Sequence, residues 1–158
     1  MNYVGYNKLK PRGISHMCLR VYDLERTVKF YQDVFGATIV CEWGKDENED
    51  HAVFVDLGTG DYLEIFNAIP PKGYDPNVPP EAPRSPALPA GTWQHLAIWT
   101  DDIEATYQRA LACGAVGFSK PGHSDIPTRS GAIVSMKYGF VRAPGGEYVE
   151  FIEHIPQP

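Results

Sequence analysis

Long hydrophobic runs are missing from this 158-residue chain. No stretch approaches the roughly 20 apolar residues that span a bilayer. The opening residues MNYVGYNKLKPRG hold no apolar segment of the kind a signal peptide carries. Neither a membrane partner nor a secretory leader is therefore expected. Cysteine is scarce: Cys18, Cys41 and Cys113 make neither an even disulfide framework nor a closely spaced metal pair. Reduced thiols and a cytoplasmic location are the expectation. Positive charge is also short, with 14 Lys and Arg against 20 Asp and Glu and a net charge of −6. That balance argues against a surface that tracks phosphates, and so against nucleic acid as a partner. What is present, 43% hydrophobic and 22% charged residues, lies in the globular range, and a chain of this length supports one core without staples.

The chain repeats itself. Ile14-Ser-His-Met-Cys-Leu-Arg-Val-Tyr-Asp-Leu-Glu-Arg-Thr27 aligns without a gap on Trp93-Gln-His-Leu-Ala-Ile-Trp-Thr-Asp-Asp-Ile-Glu-Ala-Thr106, 79 residues later. His16 meets His95, Asp23 meets Asp102 and Thr27 meets Thr106. A second match closes each half: Gly60-Asp-Tyr-Leu-Glu-Ile65 aligns on Gly146-Glu-Tyr-Val-Glu-Phe151, so Glu64 meets Glu150. Each half opens on a histidine-bearing segment and closes on a glutamate-bearing one.

Periodicity assigns the elements. Residues 14–21 alternate as a strand. Asp23 caps a helix over 24–35, whose apolar positions Leu24, Val28, Tyr31, Val34 and Phe35 recur at helical spacing, with Gly36 as its stop. Strands follow near 37–43, 52–57 and 61–67. The second half repeats the order, with a strand at 93–100, a helix over 102–112 and strands near 115–119, 132–142 and 147–153. The expected fold class is α+β: two tandem βαβββ modules. The expected organisation is an extension over 1–12, a first module over 13–68, a proline-rich linker or flap over 69–92, a second module over 93–154 and a tail over 155–158. The stretch from Ile69 to Gly91 holds eight of the fourteen prolines, and Tyr74 and Leu88 could anchor it as an ordered flap. The loop from Lys120 to Gly131 is a candidate lid.

Alternation puts Ile14, His16, Cys18 and Arg20 on one face of the first strand, and Tyr62, Glu64 and Phe66 on one face of the fourth. Trp93, His95, Ala97 and Trp99 share a face in the second half, as do Tyr148, Glu150 and Ile152. A carboxylate among apolar neighbours needs a partner. Two His and two Glu from duplicated halves can compensate one another around one divalent cation. Imidazole nitrogen and carboxylate oxygen suit zinc, nickel, iron, cobalt or manganese. His51, His123 and His154 have no repeat partner and stand outside this set.

With His16, Glu64, His95 and Glu150 at matching places in a βαβββ duplication, the chain resembles the vicinal oxygen chelate superfamily, and glyoxalase I most within it. The stretch His16-Met-Cys-Leu-Arg-Val-Tyr-Asp-Leu-Glu-Arg, Phe30-Tyr31 with Gly36, and Glu147-Tyr-Val-Glu-Phe-Ile-Glu153 carry the resemblance. It implies that the two βαβββ modules form a curved mixed sheet around a metal site, with one bound divalent ion and a small oxo substrate, such as a thiol hemithioacetal. It implies proton transfer through an enediolate, with Glu150 or Glu64 as the catalytic base and Glu150 preferred. Arg20 matches the family's arginine for a glutathione carboxylate; by its own chemistry it could equally make an internal ion pair. Asn67 and Lys137 are further substrate-binding candidates, Asn67 standing one residue short of the family's glutathione-binding asparagine. The turn Ala143-Pro-Gly-Gly146 departs from the family's usual Asp-Pro-Asp-Gly. Methylmalonyl-CoA epimerases carry Gln at the place of Glu64, so Glu64 points to the glyoxalase-like branch. An iron-dependent extradiol dioxygenase, using His16, His95 and Glu150 alone, is one alternative. A non-catalytic small-molecule-binding protein of the bleomycin-resistance type is the other. A homodimer is expected, with the modules pairing either within one chain or across two.

Overall fold

The computed structural model describes residues 14–44, 51–58, 60–75, 93–128 and 131–154. The first half runs β1 (His16–Val21), α1 (Leu24–Phe35), β2 (Thr38–Trp43), β3 (Ala52–Asp56) and β4 (Tyr62–Asn67). The second runs β5 (Leu96–Trp99), α2 (Ile103–Ala112), β6 (Val116–Pro127), β7 (Ile133–Arg142) and β8 (Tyr148–His154). Each half is a βαβββ module with its own mixed four-stranded sheet, in the orders β1-β4-β3-β2 and β5-β8-β7-β6. In both sheets the histidine-bearing strand pairs in parallel with the glutamate-bearing strand. A parallel pair needs a crossover, and the rest of the module supplies it.

The helices start where their caps dictate. Asp23 accepts the Arg26 N–H at 3.0 Å, and Asp102 accepts the Ala105 N–H at 2.9 Å. The Thr27 hydroxyl, wholly buried, donates back to the Asp23 carbonyl at 2.7 Å. Gly36 ends α1 at φ 72°, its N–H donating to the Gln32 carbonyl while the Ala37 N–H donates to the Tyr31 carbonyl. This left-handed stop costs a side-chain-bearing residue more than it costs glycine. Asp23→Ala is expected to lower stability by about 1 kcal/mol, read as a drop in the denaturant midpoint at unchanged slope.

The core lies between the modules. Leu24, Val28, Phe30, Tyr31 and Val34 of α1 are buried together with Leu63 and Ile65, and also with Ile103, Val141, Val149 and Phe151 of the second half. Phe35 meets Phe151 with ring centroids 5.8 Å apart, and the Tyr31 hydroxyl donates to Glu147 Oε1 at 2.7 Å. The modules thus pack through their helix-bearing sides, and the opposite sheet faces look outward. Along β1, His16, Cys18 and Arg20 are exposed while Val21 is buried.

One expectation fails. Lys120 to Pro127 is not a loop, because β6 continues to Pro127 and pairs with β7 as far as Pro127↔Ile133. Two register shifts, between Gly117 and Gly122, absorb Pro121; a bulge is where a sheet tolerates a residue that cannot donate. Gly139 makes room for it, since a Cβ there would stand 3.2 Å from the Pro121 nitrogen. Tyr74 packs edge-on against Tyr22 at 5.3 Å; Leu88 and residues 76–92 lie outside the described residues. No helix among the described residues is long and apolar enough to cross a membrane.

Candidate metal and substrate site

The register brings each histidine to its glutamate. In β1–β4, His16 stands opposite Tyr62 and Cys18 opposite Glu64. In β5–β8, Ala97 stands opposite Glu150 and Leu96 opposite Val149, which carries His95, one residue before β5, to the matching place. His16 Nε2 lies 3.4 Å from Glu64 Oε2, and His95 Nε2 lies 3.0 Å from Glu150 Oε2. The glutamates are nearly covered, at 16% and 15% side-chain exposure, while the histidines open to solvent.

An aromatic ring backs each pair. Phe54 of β3 is opposite Glu64 and meets His16 edge-on at 5.1 Å. Phe140 of β7 is opposite Glu150 and meets His95 edge-on at 5.4 Å. These rings turn the imidazoles toward the carboxylates. Sequence reasoning missed them, although Phe54-Val55 and Phe140-Val141 stand 86 residues apart, the offset that separates Glu64 from Glu150.

Within one chain the two pairs stay apart. Among the described residues no three His, Cys, Asp or Glu side chains come together closely enough to hold a metal ion. The donor chemistry nonetheless fits a divalent cation: each pair presents one imidazole nitrogen and one carboxylate oxygen on an open sheet face. Two such pairs make a four-donor set, and each pair is half of one.

The other candidates divide. Arg20 sits on the His16 face, where Nη1 donates to the Asn67 carbonyl at 3.0 Å and the guanidinium lies 5.0 Å over the Phe66 ring. The side chain of Asn67 serves the β3–β4 hairpin, its Oδ1 accepting the His51 N–H at 2.9 Å. Lys137 does not join the site. It is opposite Glu153 in the β7–β8 ladder, donates to it at 2.9 Å, and stands 3.9 Å from Glu104 of α2. Lys137 stands three positions before Phe140, an odd step along the strand, so it belongs to the helix-covered face. The Lys137 ammonium, and then the Ile103 N–H, hold the Glu153 carboxyl below its ordinary range. Of the histidines outside the repeat, His51 pairs with Glu42 at 2.8 Å and His123 with Asp125 at 3.1 Å, both away from the two pairs.

The halves differ beside their glutamates. The Cys18 thiol hydrogen-bonds Glu64; partial burial, and then that bond, push the thiol up. Ala97 occupies the equivalent place by Glu150 and has nothing to donate.

Residues 13–151 match the family model described as Glyoxalase/Bleomycin resistance protein/Dioxygenase superfamily. The chain is 31% identical over 142 residues to a lactoylglutathione lyase of Haemophilus influenzae, covering 89% of this chain and 92% of that protein. It is 30% identical over 142 residues to a probable lactoylglutathione lyase of Vibrio cholerae, covering 89% and 90%. Glyoxalase I from Zea mays has a similar fold, with a TM-score of 0.62 at 23% identity over 91% of this chain and 45% of the maize chain.

Proposed function

Because the chain belongs to the Glyoxalase/Bleomycin resistance protein/Dioxygenase superfamily, we propose that it is a metal-dependent lyase of the glyoxalase I type, acting on a small 2-oxo substrate carried as a thiol hemithioacetal. The observation that carries this reading is the pair of register-matched His–Glu contacts, His16–Glu64 and His95–Glu150, on open sheet faces. One divalent ion (nickel, zinc, cobalt, manganese or iron) would be held by His16 and Glu64 of one chain with His95 and Glu150 of a second. The protein then works as a homodimer with two equivalent sites, because two-fold pairing is the closed way to bring unlike half-sites together. When bound, the ion supplies Lewis acidity to two adjacent substrate oxygens.

The chain's own residues do the rest. Glu150 takes the proton from the hydroxyl-bearing carbon of the hemithioacetal and returns it to the neighbouring carbon, while the hydroxyl proton passes to the neighbouring oxygen, leaving a thioester of a 2-hydroxy acid. Ala97 beside it leaves its carboxylate without the thiol donor that Cys18 gives Glu64, and that difference supports Glu150 as the base and Glu64 as the fixed ligand. Phe54 and Phe140 keep the imidazoles in place. Arg20, braced by Phe66 and the Asn67 carbonyl, holds an anionic group of the thiol carrier.

The test is thioester formation from methylglyoxal and glutathione by metal-loaded protein, with activity lost on chelation and regained on reloading. A protein that binds no divalent ion, or one that is loaded and silent, overturns the reading. Arg20→Ala is expected to raise KM for the anionic adduct about tenfold with a smaller change in kcat. An unchanged KM assigns Arg20 to structure.

A further inference from the structure

Positions that match in the two halves and positions that differ carry different information. His16 and His95, Glu64 and Glu150, Phe54 and Phe140, and Tyr62 and Tyr148 are the same in kind, as a shared ligand set requires. Ile14 and Trp93, each two residues before its histidine, are both large, apolar and exposed. The contrast comes four residues after the histidines. There the first half places Arg20, opposite Phe66 in β4, and the second places Trp99, opposite Ile152 in β8.

Trp99 is 68% exposed. It lies on the same face as His95, because Leu96 and Ile98, which alternate with it, turn toward the core. Ile152 stands two residues beyond Glu150 on that face, and Tyr138 of β7 is opposite Ile152. Beyond Tyr138 the next strand offers Gly122, where a Cβ would meet nothing within 4 Å. Trp99, Ile152 and Tyr138 therefore form an apolar shelf beside Glu150 with open space at its edge. The first half has a guanidinium at the matching place.

Resting on the proposed function, we infer that the substrate is two-ended: an anionic carrier held at Arg20, and a bulky apolar or aromatic group of the 2-oxo compound laid on Trp99, Ile152 and Tyr138. A methyl group is too small to cover this shelf and leaves the indole in water. An aryl group covers it and gains both buried area and ring–ring contact. Trp99 is the residue that sets this preference.

The test compares the glutathione adducts of phenylglyoxal and methylglyoxal as substrates of the metal-loaded wild type, Trp99→Ala and Trp99→Phe. It is accompanied by titration calorimetry of the two thioester products and by size-exclusion chromatography of each variant. Wild type is expected to favour the phenyl adduct in kcat/KM, and Trp99→Ala to cut that preference about tenfold. The methyl adduct should lose distinctly less than the phenyl adduct, and Trp99→Phe should keep most of the preference. The products should bind in the same order. Equal loss on both substrates, an unchanged preference, or a change of oligomeric state without a change of preference each overturns the inference. If the wild type turns over neither adduct yet binds the aryl product more tightly through Trp99, the proposed reaction fails and the apolar shelf stands.

Discussion

Glu150→Gln is expected to lower proton-transfer turnover by about 10²–10⁴-fold, the range that a positioned acid–base group contributes, while the thermal midpoint stays at the wild-type value. The side chain is 15% exposed with its Oε2 3.0 Å from His95 Nε2, and Gln has the same size and reach. The substitution removes the basic oxygen and leaves the contact with Phe140 intact. Metal content measured beside activity separates the two roles of the residue: a variant that keeps its ion and loses its rate has lost the base. Glu64→Gln is expected to cost more in metal affinity than in the rate of the loaded enzyme, since Cys18 already binds that carboxylate. Wild-type turnover in Glu150→Gln, with the loss appearing in Glu64→Gln instead, exchanges the two roles.

The second large effect lies in the core. Glu147, just before β8, is partly buried with its carboxyl turned inward; the Tyr31 hydroxyl satisfies Oε1 at 2.7 Å, and Oε2, out of solvent, finds no hydrogen-bond partner among the described residues. Burial pushes the carboxyl up, and the hydrogen bond from Tyr31 offsets this in part. Burial above all also pushes the Tyr31 hydroxyl well up, so it stays a donor. The folded state therefore holds the Glu147 proton more tightly than the unfolded chain, where a glutamate titrates near about 4.3. That preference contributes full stability below the unfolded value. It is lost as pH rises from there through the folded value, because the unfolded chain releases its proton first. Each tenfold difference in proton affinity is about 1.4 kcal/mol. Glu147→Gln should abolish this decline, so that its denaturant midpoint is flatter above the unfolded value of about 4.3 and lies above wild type at the alkaline end. Tyr31→Phe should lose about 1–3 kcal/mol, since it takes the donor from Oε1 of a carboxyl whose Oε2 already has none, and should steepen the decline. A wild-type midpoint that rises over this window, with Glu147→Gln following it, would show that Glu147 is ionised and satisfied.

Much of the architecture was legible because it depends on local chemistry. Asp23 and Asp102 cap helices, and Gly36 stops one. The period-two pattern of residues 16–21 separates the core face from the outward face that carries His16; all of these act within a few residues. Duplication did more, since the matched offsets of His16/His95 and Glu64/Glu150 exposed a pairing that neither half shows alone. The failures share a cause, which is register. Lys120-Pro-Gly-His reads as a loop because Pro and Gly break local patterns. It became strand because β7 supplied a ladder and Gly139 supplied room for Pro121. Lys137 reads as an available cation, and pairing with Glu153 put it on the helix side. Asn67 reads as a ligand contact, and its amide oxygen went to the His51 backbone.

The sequence by itself determined the two βαβββ modules, the repeated His and Glu positions and the strand face on which each lies, because side-chain alternation and capping are properties of the local chain. Only the tertiary structure decided that the helix-bearing sides pack together around Tyr31, Phe35 and Phe151, leaving the two His–Glu faces outward and apart. The physical reason is that module packing is chosen by the shape and area of buried surfaces distant in sequence. The largest apolar surfaces of this chain lie on the helix sides, opposite the faces that carry the polar donors.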